Sequence, residues 1–125
     1  MLMRRYCFAL DLIDDDNLIA QYEYWHKQEN GWPEIKMSIL NAKVLQMEIY
    51  RTGNRLFMII DVSESFSLAE KSAMDSINPK VQEWEALMEK FQQPLPWAKP
   101  GEKWMLMNRI FHLNDEELKG SSINS

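Results

Sequence analysis

The chain has one cysteine, Cys7, so no disulfide can form within it, and a reducing compartment suits it. It has two histidines, His26 and His112, too far apart in sequence for a Cys/His metal motif. They could still meet in space, but nothing else in the sequence argues for a metal, and none is expected. The four glycines form no phosphate-cradling loop, dinucleotide fingerprint or G-x-S-x-G elbow. Basic residues are outnumbered, 14 Lys and Arg against 19 Asp and Glu, giving a net charge of −5. With a pI near 5.0 and no basic patch, binding to a nucleic-acid backbone is not expected. No apolar run approaches the roughly 18 residues of a membrane span. Met1 to Tyr6 shows neither the apolar core nor the cleavage site of a signal peptide, so a cytoplasmic protein is the simplest account.

What remains is a chain of 125 residues, 46% hydrophobic and 26% charged, which fits one soluble globular domain. Residues 1–113 are assigned to that domain, and 114–125, acidic and then Gly/Ser-rich, to a flexible tail. Residues 4–13 read as a strand, and Cys7 within it as a small core residue. Asp14, Asp15, Asp16 or Asn17 can cap a helix over 17–26; the three Asp lack the spacing of a calcium loop. Asn30-Gly31 breaks that helix, and Pro33 suits the first turn of a second one reaching about Leu40. Residues 44–51 form a strand with Leu45, Met47, Ile49 and Arg51 on one face. Thr52-Gly53-Asn54-Arg55 is a hairpin signal, and 56–62 is a central strand. Helices are expected over 66–75 and 79–91. Pro94, Pro96 and Pro100 then predict an extended loop over 92–103, lying across some surface with its Trp97. Residues 104–113 form the last strand. The order β-α-β-β-α-β, with each α region broken in two, is a ferredoxin-like α+β fold: an antiparallel sheet with helices on one face. The bare face predicts pairing of sheets in a homodimer, the dimeric α/β barrel.

Chemistry concentrates between Tyr22 and Glu34, which holds two tyrosines, two tryptophans and a histidine. Tyr22 and His26 stand one helical turn apart, on one face. Imidazole can give or take a proton near neutral pH, and a phenol beside it can donate a hydrogen bond. Aromatic rings nearby suit the C–H faces of a sugar. Taken alone, the same spacing also fits an ordinary half-buried amphipathic helix.

Tyr22…His26, Trp32-Pro33-Glu34, Glu48-Ile49-Tyr50 before the hairpin, Gln82-Glu83-Trp84 and Ile110-Phe111-His112-Leu113 together resemble the L-rhamnose mutarotase family. The likeness spans roughly residues 4 to 113. It implies the ferredoxin-like fold, a homodimer joined through its sheets, no metal or organic cofactor, and interconversion of the α and β anomers of a 6-deoxy sugar. It places His26 on the family's catalytic, proton-donating histidine, Tyr22 on a sugar-contacting tyrosine and Trp84 on a sugar-contacting tryptophan. The chain departs from the rhamnose enzymes at three points. The gap from His26 to Trp32 is longer, Met47 replaces a substrate-contacting tyrosine, and Glu85 replaces a second tryptophan. The last two are sugar-reading positions, where Glu85 can accept from a hydroxyl. The runs Ile-Tyr-Arg-Thr-Gly-Asn-Arg and Gln-Gln-Pro-Leu-Pro-Trp-Ala-Lys-Pro-Gly-Glu-Lys-Trp look similar to an L-fucose mutarotase subgroup, so L-fucose is at least as good a candidate as L-rhamnose.

Mutarotation needs a proton removed from the anomeric hydroxyl and one delivered to the ring oxygen, with no nucleophile or redox centre. His26 is expected to protonate the ring oxygen, with Tyr22 or a carboxylate orienting or relaying. Trp84 and Trp97 would stack on the sugar. Two other readings share the fold and the aromatic pocket: a cofactor-free monooxygenase acting on a flat substrate, and a non-catalytic sugar-binding module.

Overall fold

The computed structural model describes residues 3–114; the expected tail falls outside these residues beyond Asn114. Strand β1 (Met3–Leu12) leads into helix α1 (Asp16–Trp25), and a single 3-10 turn at Gln28–Asn30 separates this from α2 (Pro33–Asn41). The hairpin β2 (Val44–Thr52) and β3 (Arg55–Ser63) follows, then α3 (Leu68–Ser76) and α4 (Pro79–Glu89). Two short strands follow, β4 (Gln92–Gln93) and β5 (Met105–Leu106). The sheet order is β2-β3-β1-β4, antiparallel, with β5 also pairing with β1. This is the expected α+β order, with each α region in two pieces.

Local chemistry explains the breaks. The Asp15 carboxylate accepts from Leu18 N at 3.0 Å, capping α1, and Asp16 adds a negative charge to its first turn. Pro33 and Pro79 open α2 and α4, where a missing N–H costs nothing. Ser67 caps α3, and Asn78 caps α4 by accepting from Lys80 N and Val81 N. Phe66 therefore precedes α3 instead of starting it, and is buried. Gly53 takes φ +56° in the β2–β3 turn, a conformation a side chain would resist.

Alternation along β1 sends Phe8, Leu10 and Leu12 toward the helices and Cys7, Ala9 and Asp11 to the other face. On the helix side the apolar residues form two clusters. One gathers Leu12, Ile19, Tyr22, Leu56, Met88 and Phe91; the other gathers Phe8, Val44, Ile60, Val62 and Phe66. Each fully buried Leu or Val, such as Leu10 or Val62, contributes roughly 1.5–3 kcal/mol of hydrophobic stabilisation.

Three expectations are corrected. Leu45 does not share a face with Met47 and Ile49: the β2–β3 register slips between Val44 and Gln46, and the bulge leaves Leu45 45% exposed while Val44 is buried. Residues 92–103 are not all loop, because Gln92 and Gln93 pair with Leu12 and Asp11. The last strand, expected over 104–113, pairs only at Met105 and Leu106, with one further bond from Met107 N to Cys7 O. Beyond that point Met3, Arg4 and Arg5 are themselves exposed. Pairing alone does not offset the entropy of ordering the segment.

Candidate active site

Between the helices and the sheet lies a cavity of about 760 Å³. Its wall near α1 and α4 carries Tyr22, His26, Trp84 and Glu85; Met47 and Ile49 rise from β2, and Gln92 and Trp104 come from the chain after α4. The bulge at Leu45 matters here, since Met47 and Ile49 keep to the cavity side past it.

His26 sits at the C-cap of α1, where its ring is held by its own helix. Its Nδ1–H donates to the Tyr22 carbonyl oxygen at 2.7 Å. That bond fixes the tautomer: with the proton on Nδ1, Nε2 keeps its lone pair and can accept. The Tyr22 ring stacks against the imidazole at 4.2 Å between centroids, and Trp84 meets it edge-on at 5.7 Å. Trp32, the N-cap residue of α2, stands edge-to-face with Trp84 at 5.2 Å. His26 is exposed to solvent. The groups crowded around it nevertheless hold its pKa below the ordinary 6.5; burial lowers it and the Tyr22 carbonyl bond opposes this only in part. The lowered pKa favours the neutral imidazole.

Tyr22 is buried, 3% exposed, with Phe91 edge-on at 6.3 Å. Burial pushes its phenol up to about 12, against a hydrogen bond from the Gln92 side chain that pulls it down. The phenol is therefore a donor throughout the neutral range, not a base. A second recess of about 320 Å³ shares Tyr22, His26 and Ile49 and is flanked by the Glu23–Arg51 ion pair at 2.6 Å. The imidazole stands on the wall between the two spaces.

Of the residues named from the sequence, the cavity brings together Tyr22, His26, Met47, Trp84 and Glu85. Trp97 is elsewhere. It is 61% exposed, with the Arg55 guanidinium 5.1 Å from its ring, and Arg55 in turn pairs with the buried Asp11 on the face of the sheet away from the helices. The proline loop does lie over a surface, but over the opposite one. His112 is exposed in the segment after β5 and is not among the cavity residues. Trp32, Gln92 and Trp104 carried no site role in the sequence reading. The signal for Trp32 was its place in the Trp32-Pro33-Glu34 motif of the family resemblance, close after His26. Among the described residues no three His, Cys, Asp or Glu side chains converge as metal ligands.

The sequence profile of the L-rhamnose mutarotase family matches residues 5–113. The chain belongs to that family. A relative from Xanthomonas campestris pv. campestris, described as an L-fucose mutarotase, is 48% identical over 115 residues, covering 92% of each chain. A UPF0734 protein from Dictyostelium discoideum is 32% identical, covering 89% of this chain and 90% of its own. Among solved structures, the L-rhamnose mutarotase of Formosa agariphila superposes with a TM-score of 0.64 at 22% identity, over 88% of this chain and 98% of its own. The tetracenomycin F2 cyclase of Streptomyces glaucescens superposes with a TM-score of 0.55 at 14% identity, over 87% and 94%. These two likenesses concern the fold. Family membership makes the chain a mutarotase-type isomerase, in agreement with the resemblance read from its sequence motifs.

Proposed function

We propose that the chain interconverts the α and β anomers of a 6-deoxy-hexose, L-fucose before L-rhamnose, with His26 as the proton-transfer group. The observation that carries this reading is an imidazole whose Nδ1–H is tied to Tyr22 O, leaving Nε2 as acceptor beside an aromatic cavity. The anomeric hydroxyl gives its proton to Nε2, and the bond from C1 to the ring oxygen breaks, leaving an aldehyde. The imidazolium then returns the proton to the former ring oxygen. Both oxygens are bonded to C1, so one nitrogen can serve them in turn. Rotation about C1–C2 and the same steps reversed close the ring on its other face. His26 thus becomes the proton donor of the family pattern only after it has acted as base. Positioned proton transfer of this kind contributes ~10²–10⁴-fold.

Tyr22 holds the imidazole in place through its carbonyl and its ring. Trp84 and Trp32 offer faces to the sugar's C–H surface, Glu85 accepts from a hydroxyl, and Met47 suits the C6 methyl. The preference for L-fucose rests on Met47 and Glu85 at the sugar-reading positions and on the 48% identical relative described as acting on that sugar.

The working form is a homodimer. Ile110, Leu113 and Tyr50 are 83%, 79% and 55% exposed, and these apolar side chains suit cover by a second copy. A cytoplasmic setting suits the lone Cys7, and no described helix is long and apolar enough to cross a membrane. The test is anomer exchange by NMR on L-fucose and L-rhamnose with and without protein. Faster exchange, greater for L-fucose, is expected. No acceleration of either sugar by folded protein overturns the reading in favour of a silent sugar-binding module or, if an aromatic substrate drives oxygen uptake, a monooxygenase.

A further inference from the structure

We propose that the end of the cavity beneath α3 is a subsite for a second sugar ring, so that the chain exchanges the anomers of a reducing disaccharide as well as of a free monosaccharide. The inference rests on the mutarotase reading and adds a substrate class to it.

Size is the first argument. At about 760 Å³ the cavity lies well inside the ~300–1,000 Å³ range of pockets that enclose drug-sized ligands. One pyranose ring belongs at the small end of that range. The rings around His26 occupy one end, where Tyr22, Trp25 and Trp84 pack on the cluster of Leu12, Leu56 and Phe91. The floor continues past them over Phe8, Met58 and Ile60, which belong to the other cluster. Helix α3, which follows Phe66 of that second cluster, contributes Leu68, Lys71, Ser72, Asp75 and Ser76 to the cavity lining.

The wall chemistry is the second argument. Lys71 and Asp75 line the cavity as an ion pair at 2.6 Å, with side chains only 24% and 17% exposed. Gln82 Nε2 donates to the Asp75 carbonyl oxygen at 2.9 Å, fixing the end of α3 against α4. The two charges cancel each other, so this pair alone does not select a phosphate or carboxylate. Unused ammonium protons and carboxylate lone pairs remain to hold neutral hydroxyls. The hydroxyls of Ser38 and Ser76, also on the wall, donate to Ile35 O and Ala73 O at 2.8 and 2.7 Å and keep lone pairs for a ligand. An apolar floor facing a polar wall repeats at the far end the pattern that suits a sugar near His26. Ring opening needs a free anomeric hydroxyl. The second ring must therefore be joined through another oxygen of the ring at His26.

The test compares anomer exchange on L-fucose with exchange on two disaccharides having L-fucose at the reducing end and a hexosyl group on O3 or O4. The wild-type chain should accelerate at least one disaccharide with a kcat/KM no lower than for L-fucose. Ser72→Trp, which fills the α3 end, should lower kcat/KM for that disaccharide about tenfold or more and leave L-fucose within about twofold. The paired Lys71→Met, Asp75→Leu variant, which leaves no lone charge, should lower it in the same selective way. Exchange of L-fucose but of neither disaccharide overturns the subsite and leaves the mutarotase reading standing. Equal losses on both substrates in either folded variant also overturn it. Failure on every sugar removes both. The wild-type comparison decides even if a variant does not fold.

Discussion

The two faces of the sheet use the same residue types to opposite ends. On the helix side, Trp84 crosses a histidine whose proton is assigned by its own helix, in a cavity wide enough for ligand. On the other side, Trp97 lies against Arg55, which holds the buried carboxylate of Asp11 through bonds of 2.7 and 3.1 Å. One face surrounds an ionisable group with rings and leaves it an unused acceptor. The other surrounds an ionisable group with a matched partner and leaves nothing to react. An aromatic ring in a proline loop is therefore no sign of a sugar site until it is known which face the loop crosses.

The largest effect expected from breaking this contrast is at His26. His26→Ala should lower anomer exchange by ~10²–10⁴-fold while the melting temperature stays close to wild type. An unchanged rate removes His26 from the mechanism. The pH profile sharpens the same point. The His26 pKa lies below 6.5 because burial disfavours the imidazolium. If the neutral form is competent, exchange is level around neutral pH and falls once the pH drops below that lowered value, by about tenfold per pH unit. A rate that rises on acidification would mean that the resting histidine works as an acid. Next come the two tryptophans. Trp84→Leu should weaken sugar binding by about tenfold, read as KM, and Trp97→Leu should leave it unchanged. Equal effects would erase the distinction between the faces. The smallest effect on catalysis belongs to Arg55→Met. It strands a buried carboxylate, so the thermal melt should fall, while exchange per folded molecule stays within about twofold.

The element order was legible because its signals are local: the run 14–17 as a cap, Pro33 and Pro79 as first-turn residues, Gly53 in the hairpin. Ser67 and Asn78 emerged as caps only from the structure. Tyr22 and His26 were legible for the same reason, since one helical turn determines their proximity. What escaped depends on contacts made after the chain has folded. The bulge at Leu45 leaves no mark in a segment that alternates well on either side of it. Residues 107–113 read as strand, yet their pairing with β1 stops near Cys7, short of the exposed Met3, Arg4 and Arg5. Gln92 and Trp97 stand close together in one proline-rich run, and only the path of that run around the end of β1 sends the first to Tyr22 and the second to Arg55. The resemblance implied sugar-reading roles for Met47 and Glu85, which do line the cavity, but the polar wall of α3 has no motif and became visible only as a surface.

The isolation of Trp97 has an optical consequence. The chain has five tryptophans, and Trp25, Trp32, Trp84 and Trp104 all border the cavity. Indole emission depends on the polarity of its immediate surroundings. A ligand entering the cavity displaces water from the four rings together, while Trp97, on the far face, serves as an internal reference. The native chain thus carries a built-in fluorescent gauge of cavity occupancy, usable on sugars whose anomers exchange too fast, or too slowly, to follow by resonance.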